Sequence, residues 1–380
     1  MFSWFKKSTS GASANGLLAA KADQKGIKPQ FHALKVLEVR RETADSVSVS
    51  FEVPEEGPFR FVPGQYLTLR ATINGADVRR SYSLCSSPLS GELRVAIKQV
   101  EGGVFSTWAN TQLKAGDVLD VMPPMGSFLL ETDPAKRRRY VGFAAGSGIT
   151  PVLSILKTAL EREPESEFLL FYGNRKTASI LFKNELEDLK DRFMGRLEVH
   201  HVLSREDQGS DALFGRLDAD RIRYFADHIP TVTKADGYFL CGPEAMIHAA
   251  SDVLKSAGVA SDKIHFELFT SSTPAAASAA KADKGSASGD AYVTVVLDGE
   301  ETHFTQSAKE FVLDAALDAG ADVPYACKGA VCCTCRAKVL EGKVEMAMNY
   351  SLTDDEVADG YVLTCQAMPR SERVVVSYDA

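Results

Sequence analysis

Hydrophobic and polar residues alternate along the first long patterned stretch of the chain. The alternation is clearest at residues 46–53 and 92–98, and its period of two is typical of β-strands with one buried face. Glycine and proline interrupt the stretch at short intervals, as at Pro63-Gly64 and Pro123-Pro124. Several short strands at this spacing predict an antiparallel β-barrel over residues 31–133.

The pattern changes to alternating strands and helices over residues 136–270. Continuous apolar runs of strand length are separated there by segments with helical periodicity. The runs lie at residues 140–145, 168–172, 197–203 and 238–241, and the helical segments at 151–162, 182–192 and 244–257. This order predicts an α/β domain with a parallel sheet, in which ligands bind beyond the carboxyl ends of the strands.

A third, smaller α+β domain is predicted for residues 291–380. Two strand-like segments precede a helix near residues 310–319, which Gly320 ends. The strand-like segments lie at residues 292–297 and 302–306 and, after the helix, at 337–340, 361–364 and 374–377. We therefore expect a multidomain protein.

Two segments lack any lasting periodicity. Residues 1–30 are rich in Ser, Ala, Gly and Lys, and they predict a disordered N-terminal tail. Residues 271–290 read SSTPAAASAAKADKGSASGD and contain no large apolar side chain. That composition predicts a flexible linker, which would let the third domain dock against the rest of the chain and swing away.

Composition and charge exclude several classes of protein. The chain has 380 residues, of which 45% are hydrophobic and 25% charged, as in ordinary globular proteins. A formal net charge of -8 argues against nucleic-acid binding. No apolar run approaches the roughly 18–20 residues of a membrane span. No signal peptide precedes the chain and its 7 cysteines are an odd number, so we expect a cytoplasmic protein without structural disulfides.

Four cysteines near the end of the chain have the spacing of metal ligands. The pattern is C-x4-C-x2-C, then twenty-nine residues, then a last cysteine, formed by Cys327, Cys332, Cys335 and Cys365. A C-x-x-C alone would leave open a redox dithiol or half of a zinc site. The complete set has the ligand spacing of a plant-type [2Fe–2S] cluster, which carries one electron at a time.

Three further residues of the cysteine loop bear on its shape. Cys333 lies between ligands and is expected to be a small filling side chain. Ala330 stands two residues before the second ligand, where plant-type ferredoxins commonly have glycine. We expect Gly329 to supply the flexibility of the loop instead.

The segment Arg80-Ser81-Tyr82-Ser83 can bind a flavin. An arginine can pair with a pyrophosphate and a tyrosine can stack on an isoalloxazine ring; the alternative is an amphipathic strand with solvated arginines. Here the chain resembles the ferredoxin–NADP reductase superfamily, whose flavin motif is R-x-Y-S. The resemblance implies FAD binding and a catalytic role for Ser83. The implied FAD contacts are Arg80, Ser81, Tyr82, Ser83, Ile97, Lys98, Gly103, Val104, Phe105 and Ser106.

A glycine-containing loop follows the first predicted strand of the α/β domain. Gly146-Ser147-Gly148 leads through Ile149 into Thr150-Pro151, which suit the start of a helix. In the superfamily this loop binds the nicotinamide nucleotide. Arg175, Ser204 and Arg205 follow two later strands, and they suit a 2′-phosphate if they are not merely solvated side chains. The resemblance therefore implies NADPH.

The resemblance also assigns residues close to the reacting atoms. Cys241 and Gly242 end the last long strand, where relatives place a cysteine beside the nicotinamide and flavin. Glu267 resembles the acid near the reductase C-terminus, and Phe269 the aromatic residue that covers the flavin. These similarities imply catalytic roles for Cys241 and Glu267 and cofactor contacts for Cys241, Gly242 and Phe269.

The order of the three modules resembles that of oxygenase reductases with a C-terminal ferredoxin. Stretches such as RRSYSLC, AAGSGITP and GYVLTCQA are similar to the reductase subunits of phenylacetyl-CoA epoxidases. The resemblance implies electron transfer from NADPH through FAD and a [2Fe–2S] cluster to a di-iron oxygenase that epoxidises the ring of phenylacetyl-CoA. The alternatives are a reductase of another oxygenase or hydroxylase, an iron–sulfur redox sensor and a zinc-organised interaction protein.

Overall fold

The computed structural model describes residues 16–24, 29–54, 56–269 and 290–380. These residues form two compact units. As far as it is described, the first unit comprises Met1–Leu67, Tyr82–Pro124 and Phe128–Phe266. The second comprises Thr68–Ser81, Met125–Ser127 and Glu267–Ala380.

The first sheet is antiparallel where its strand registers are defined, and it has six strands in the order β4-β3-β6-β1-β2-β5. Its strands are β1 (His32–Thr43), β2 (Ser46–Phe51), β3 (Tyr66–Ile73), β4 (Ala76–Ser83), β5 (Leu93–Lys98) and β6 (Val118–Val121). The helix α1 (Val104–Thr111) follows β5. A single bridge pairs Leu84, which follows β4, with Val95 of β5. The antiparallel sheet is confirmed, and its closure into a barrel stays a prediction.

The second sheet contains four parallel strands, β7 to β10, and has the order β11-β10-β7-β8-β9. Its strands are β7 (Arg139–Ala145), β8 (Glu167–Asn174), β9 (Leu197–Leu203), β10 (Gly237–Gly242) and β11 (Ile264–Leu268). The associated helices are α2 (Ile149–Arg162), α3 (Lys183–Arg192), α4 (Ala219–His228) and α5 (Glu244–Ser256). Strands β7, β8 and β10 are buried on both faces along most of their length, as in other parallel sheets, whereas the edge strand β9 is only partly buried.

The third sheet has five strands in the order β13-β12-β18-β14-β16. Its strands are β12 (Asp290–Leu297), β13 (Glu300–Ser307), β14 (Arg336–Glu341), β16 (Tyr361–Leu363) and β18 (Arg373–Ser377), with β15 (Val344–Met346) and β17 (Ala367–Pro369) as a separate pair. The helices are α6 (Val312–Asp318) and α7 (Asp354–Ala358). Only β12 and β18 pair in parallel among the described registers of this sheet. The result is the predicted small α+β module with its own core.

Part of the segment predicted as a disordered tail makes defined backbone contacts. Leu17 donates its N–H to the carbonyl of Pro88 at 2.6 Å and accepts from the N–H of Phe61 at 2.8 Å. Leu18 forms a parallel bridge with Phe61. The two leucines give this part an apolar anchor that the surrounding polar composition conceals. Residues 1–15 and 25–28 of the predicted tail lie outside the described residues, as do residues 271–289 of the predicted linker.

Candidate functional site

Strand β4 carries the flavin motif. The Tyr82 ring lies 5.7 Å from that of Phe105 on α1, measured between centroids. The Ser81 and Thr68 hydroxyls are 3.2 Å apart, and Arg80 donates to the carbonyl of Arg79 at 2.7 Å. Ser83 is buried at the end of the strand. The Tyr82–Phe105 pair is an aromatic surface of the kind that suits an isoalloxazine ring, and Arg80, two positions before Tyr82, is a residue type that suits a pyrophosphate.

The N-terminus of α1 fits the flavin pyrophosphate. Gly103 is its N-cap residue and provides no side-chain cap, and the first turn has no acidic residue. Ser106 Oγ instead accepts from the N–H of Val100 at 3.1 Å, and a Cβ on Gly103 would lie 2.6 Å from that oxygen. Val104 is exposed next to this turn. Backbone N–H groups at such a helix start are suited to phosphate oxygens.

An asparagine that the sequence did not reveal holds α1 against β5. Asn110 is buried and donates from Nδ2 to the carbonyls of Ile97, at 3.0 Å, and Ser106, at 2.8 Å. Lys98, next to Ile97, lies 3.5 Å from Asp45. The only sequence signal for Asn110 was a poor helix former inside a helix, which indicates a tertiary hydrogen bond.

The predicted nucleotide loop lies directly against the end of β10. Gly148 packs so closely that a Cβ would lie 2.1 Å from the carbonyl oxygen of Cys241. Gly146 has a φ of 54° and open space where its Cβ would be, and its carbonyl accepts from the Tyr172 hydroxyl at 3.0 Å. The loop thus leaves space for a ligand beside Gly146, whereas the close contact at Gly148 requires glycine.

Two residues at the start of α2 complete this loop. Thr150 donates from its hydroxyl to the carbonyl of Ser147 at 3.0 Å, and Pro151 is buried within the first turn. Because β7 ends at Ala145, the loop stands at the carboxyl edge of the parallel sheet, where such sheets bind ligands.

The cationic residues predicted for the 2′-phosphate meet at the same edge. The N–H of Ser204 donates to the carbonyl of Asn174, and that of Arg205 to the carbonyl of Arg175, both at 2.9 Å. Arg175 and Arg205 are exposed, and neither forms an ion pair in the part of the chain that the structure describes. The Glu206 carboxylate binds Thr177 instead, which lowers the pKa of Glu206. This edge therefore presents two guanidinium groups suited to a phosphate.

The three residues assigned near the reacting atoms have different environments. Cys241 is fully buried, and the adjacent Gly242 lies so close to Met246 that a Cβ would be 2.8 Å from its terminal methyl. Glu267 is half-buried in β11 and Phe269 is exposed just after it. Glu267 and Phe269 belong to the second unit and Cys241 to the first, so the roles of all three stay predictions.

The four cysteines form two pairs of adjacent thiols. Cys327 interacts with Cys332, and this contact, with support from backbone N–H groups such as that of Gly329, lowers the pKa of Cys327 to about 6. Cys335 interacts with Cys365, and this contact, together with burial, raises the pKa of Cys335. Among the described residues no three His, Cys, Asp or Glu side chains converge on one metal ion. Two thiolate pairs fit two irons, as a [2Fe–2S] cluster requires.

The backbone of the cysteine loop corrects one expectation. Gly329 is not the residue with a left-handed backbone; Ala330 has a φ of 63°, and Lys328 and Cys333 have φ values of 52° and 51°. The Ala330 carbonyl accepts from the Tyr350 N–H at 3.2 Å, which fixes the turn from outside the loop. Burial raises the pKa of the Cys333 thiol to about 12, an environment that disfavours a thiolate.

Comparison with known protein families finds the three modules in the expected order. Residues 33–129 match the oxidoreductase FAD-binding domain, and residues 143–252 match the oxidoreductase NAD-binding domain. Residues 295–370 match the 2Fe-2S iron-sulfur cluster binding domain.

Curated relatives and solved structures span the same modules. The chain is 45% identical to a subunit of the 1,2-phenylacetyl-CoA epoxidase of Escherichia coli K12, over 92% of this chain and 98% of that protein. It is 37% identical to the 3-ketosteroid-9-alpha-monooxygenase ferredoxin reductase component of Mycolicibacterium smegmatis, over 91% and 96%. The structure of phthalate dioxygenase reductase aligns with a TM-score of 0.57 and 25% identity, over 91% and 98%.

The fold and its sites define a flavin- and iron–sulfur-containing oxidoreductase that uses a nicotinamide nucleotide. The chain belongs to the family of reductase components of multicomponent oxygenases. It transfers electrons from NAD(P)H through FAD to a [2Fe–2S] cluster. When bound, FAD accepts two electrons as a hydride and the cluster carries one electron at a time. No described helix is both long and apolar enough to cross a membrane.

Proposed function

We propose that this reductase supplies electrons to a di-iron oxygenase that epoxidises phenylacetyl-CoA. The observation that carries the proposal is the 45% identity to the E. coli phenylacetyl-CoA epoxidase component, over 98% of the length of that protein. The second candidate is another oxygenase, because the ketosteroid monooxygenase reductase is 37% identical over 96% of its length. The proposal also places the chain in the cytoplasm, where thiol ligands stay reduced.

Reconstitution distinguishes the two candidates. The purified holoenzyme is combined with the oxygenase components of the epoxidase or, in parallel, with those of the ketosteroid monooxygenase, each with its own substrate. We expect NADPH oxidation coupled to product only with the epoxidase and phenylacetyl-CoA. Coupled turnover with the ketosteroid system alone would transfer the assignment to that class of oxygenase.

We further propose a division of labour among the site residues. Tyr82 stacks on the isoalloxazine, and Arg80 with the start of α1 binds the flavin pyrophosphate. As the family resemblance implies, Ser83, Cys241 and Glu267 act close to the reacting atoms of nicotinamide and flavin, and Phe269 covers the flavin until the nucleotide enters. The burial of Ser83 and Cys241 supports this role, since both can exclude water from the reacting atoms.

NADPH is the preferred donor in this proposal. Arg175 and Arg205 lie exposed on neighbouring loops joined by their backbones, and Ser204 adds a hydroxyl. Replacing Arg205 by Leu removes a charge-assisted contact to the 2′-phosphate, so the KM for NADPH should rise about tenfold. The KM for NADH should stay unchanged, because NADH lacks that phosphate. Arg223→Leu, on the exposed surface of α4, is the matched control.

An equal rise of both KM values in Arg205→Leu would contradict a 2′-phosphate role. It would leave the reductase function itself intact, since that rests on the three modules. A wild-type KM for NADPH in both Arg205→Leu and Arg175→Leu would place the phosphate elsewhere.

A further inference from the structure

Arg79 directly precedes the flavin motif and is buried, although it lies on a strand with exposed neighbours. Only 6% of its side chain is accessible, whereas its partners Asp77 and Asp322 are 44% and 80% accessible. Burying a guanidinium is unfavourable unless charges and hydrogen bonds compensate for its lost hydration. The contacts of Arg79 therefore need an explanation beyond a solvated strand position.

The Arg79 guanidinium joins two segments that are 243 residues apart in sequence. Its Nε and Nη2 donate to Asp77 Oδ2 at 3.1 and 3.0 Å, and Nη2 also donates to Asp322 Oδ1 at 3.3 Å. Its central carbon lies 4.3 Å from the centroid of the Tyr325 ring. All four residues lie within the second unit. A cation that is hydrogen-bonded in its plane and stacked on a ring has a fixed orientation.

Tyr325 is part of the loop that carries the cluster ligands. It stands two residues before Cys327, and its ring packs against the core of the cluster module. Lys328 Nζ lies 5.0 Å from the centroid of the same ring and forms an ion pair with Asp314 at 2.8 Å. The ring therefore contacts both a cation of its own loop and the guanidinium of Arg79.

The opposite end of the contact is continuous with the flavin motif. Arg80 follows Arg79 in β4 and donates to its carbonyl at 2.7 Å, and Ser81 in the same strand contacts Thr68. Arg79 is therefore linked through the backbone of β4 to residues that we propose to bind FAD.

We propose that Arg79 is a positioning residue that docks the cluster loop, through Tyr325 and Asp322, on the strand that carries the flavin motif. The contact keeps the cluster loop beside the strand that carries Arg80 and Ser81 of the flavin motif. The two carboxylates are partly or largely exposed, so water can replace them as partners and the contact can also open when the cluster module must reach its acceptor.

The test uses the holoenzyme and two pairs of variants. Arg79→Met removes the charge and its donors while keeping an apolar stem, and Arg79→Lys restores the charge. Tyr325→Leu removes the ring, and Tyr325→Phe restores it. The control is Arg40→Met, because Arg40 also pairs with a carboxylate two residues away on a strand, Glu38 at 3.0 Å, but it is exposed.

Two measurements are made on each variant. Hydrogen exchange, followed by mass spectrometry, reports the protection of residues 76–81 and 320–329. Rapid mixing with NADPH then resolves reduction of the flavin from the later reduction of the cluster. In Arg79→Met and Tyr325→Leu we expect the docked population and the rate of cluster reduction to fall about tenfold, with exchange faster in both segments.

The controls separate docking from general damage. Flavin reduction by NADPH should stay within about twofold of the original rate in all variants. Arg79→Lys and Tyr325→Phe should recover most of the loss, and the double variant Arg79→Met/Tyr325→Leu should be no slower than either single change, because both remove one contact. Arg40→Met should match the unmodified protein.

Unchanged exchange and cluster reduction in Arg79→Met would overturn the proposal, as would equal slowing in Arg40→Met. If Arg79→Met does not retain FAD, the Tyr325 variants decide. An unaltered rate in Tyr325→Leu then refutes the docking role, and slowing that Tyr325→Phe reverses supports it.

Discussion

The nucleotide loop and the cluster loop achieve unusual backbone shapes in opposite ways. In the nucleotide loop the demanding positions are glycines: Gly146 has a φ of 54°, and Gly148 has no room for a Cβ. In the cluster loop the positive φ values belong to Lys328, Ala330 and Cys333, none of which is glycine. A left-handed conformation costs an L-residue roughly 1–2 kcal/mol.

The two loops differ in what stabilises their backbone conformations. The nucleotide loop depends on the conformational freedom of its own glycines, and the cluster loop on contacts from outside it. The glycines of the nucleotide loop adopt their shape without help from a ligand. The cluster loop needs outside support, which it receives from the Tyr350 N–H on the Ala330 carbonyl and from the Asp314 carboxylate on Lys328. Ligation by four cysteines would add the remaining support, because binding energy at such a site also stabilises its fold.

The largest effect should come from removing a ligand of the cluster loop. We expect Cys335→Ser to abolish cluster binding and electron delivery to an oxygenase, because a hydroxyl is a poor substitute for a thiolate as a ligand of iron. Flavin reduction by NADPH should continue. Absorbance of the purified protein and rapid mixing with NADPH measure the two properties separately.

The neighbouring Cys333→Ser is the matched control for that experiment. Its thiol is disfavoured as a thiolate, so the iron content should equal that of the unmodified protein. Loss of the cluster in Cys333→Ser, with retention in Cys335→Ser, would reverse the ligand assignment.

The next largest effect is expected in the nucleotide loop. Gly148→Ala places a Cβ 2.1 Å from the Cys241 carbonyl oxygen, and moving two backbones apart should cost about 3 kcal/mol of stability or nucleotide binding. Thermal unfolding and kcat/KM for NADPH measure both. Gly146→Ala meets no atom within 4 Å and should show only the smaller strain of its positive φ. Equal effects of the two changes would show that conformation, not space, governs this loop.

A smaller effect concerns His201 on β9, which lies near the nucleotide loop. Its ring centroid lies 5.9 Å from that of Tyr172, whose hydroxyl donates to the carbonyl of Gly146. Burial lowers the pKa of His201 to about 4. The unfolded chain takes up this proton near pH 6.5, so stability should fall as the pH drops from about 6.5 to 4.

Between pH 7.5 and 5, the unfolding free energy of the His201→Gln variant should therefore fall by about 1 kcal/mol less than that of the unmodified protein, after allowance for solvent screening. Unfolding free energies at pH 7.5 and 5 measure it, and the value at pH 7.5 corrects for any packing change. An unaltered pH slope would show that other groups cause the acid sensitivity.

The sequence revealed what local chemistry dictates. Strand and helix periodicity predicted the three modules, and spacing alone identified Cys327, Cys332, Cys335 and Cys365 as a set. The position between strand and helix likewise identified Gly148 as part of a nucleotide loop, but not its close approach to the Cys241 carbonyl. These features depend on residues close in sequence or on residue types with few alternative uses.

Contacts between distant segments were not predictable. Nothing near Arg79 in sequence indicates a ring 246 positions later, and the polar composition of residues 1–30 concealed the contact of Leu17 with Phe61. The left-handed backbone conformation lies at Ala330 and not at Gly329, and this too depends on a partner outside the loop, Tyr350. Such features follow from tertiary packing, which outweighs local preference.

The smallest effect gives the sharpest test of the contrast between the two loops. Ala330→Gly relieves a left-handed strain of roughly 1 kcal/mol or more, but glycine also gains up to about 1 kcal/mol of entropy in the unfolded chain. Loss of the buried Ala330 methyl, about 0.8 kcal/mol, cancels much of the relief, so the net change in unfolding free energy should lie within about 0.5 kcal/mol of zero. Chemical denaturation of the cluster-free protein measures it without the contribution of the metal.

Ala337→Gly, at the buried position of strand β14 in the same module, is the matched control and should lose about 1 kcal/mol, since its backbone is ordinary. If Ala330→Gly loses as much as this control, the turn stores no strain, and the two loops differ only in composition. If it gains stability, and gains less when the cluster is bound, ligation and surrounding contacts hold the cluster loop in a conformation that its own residues disfavour.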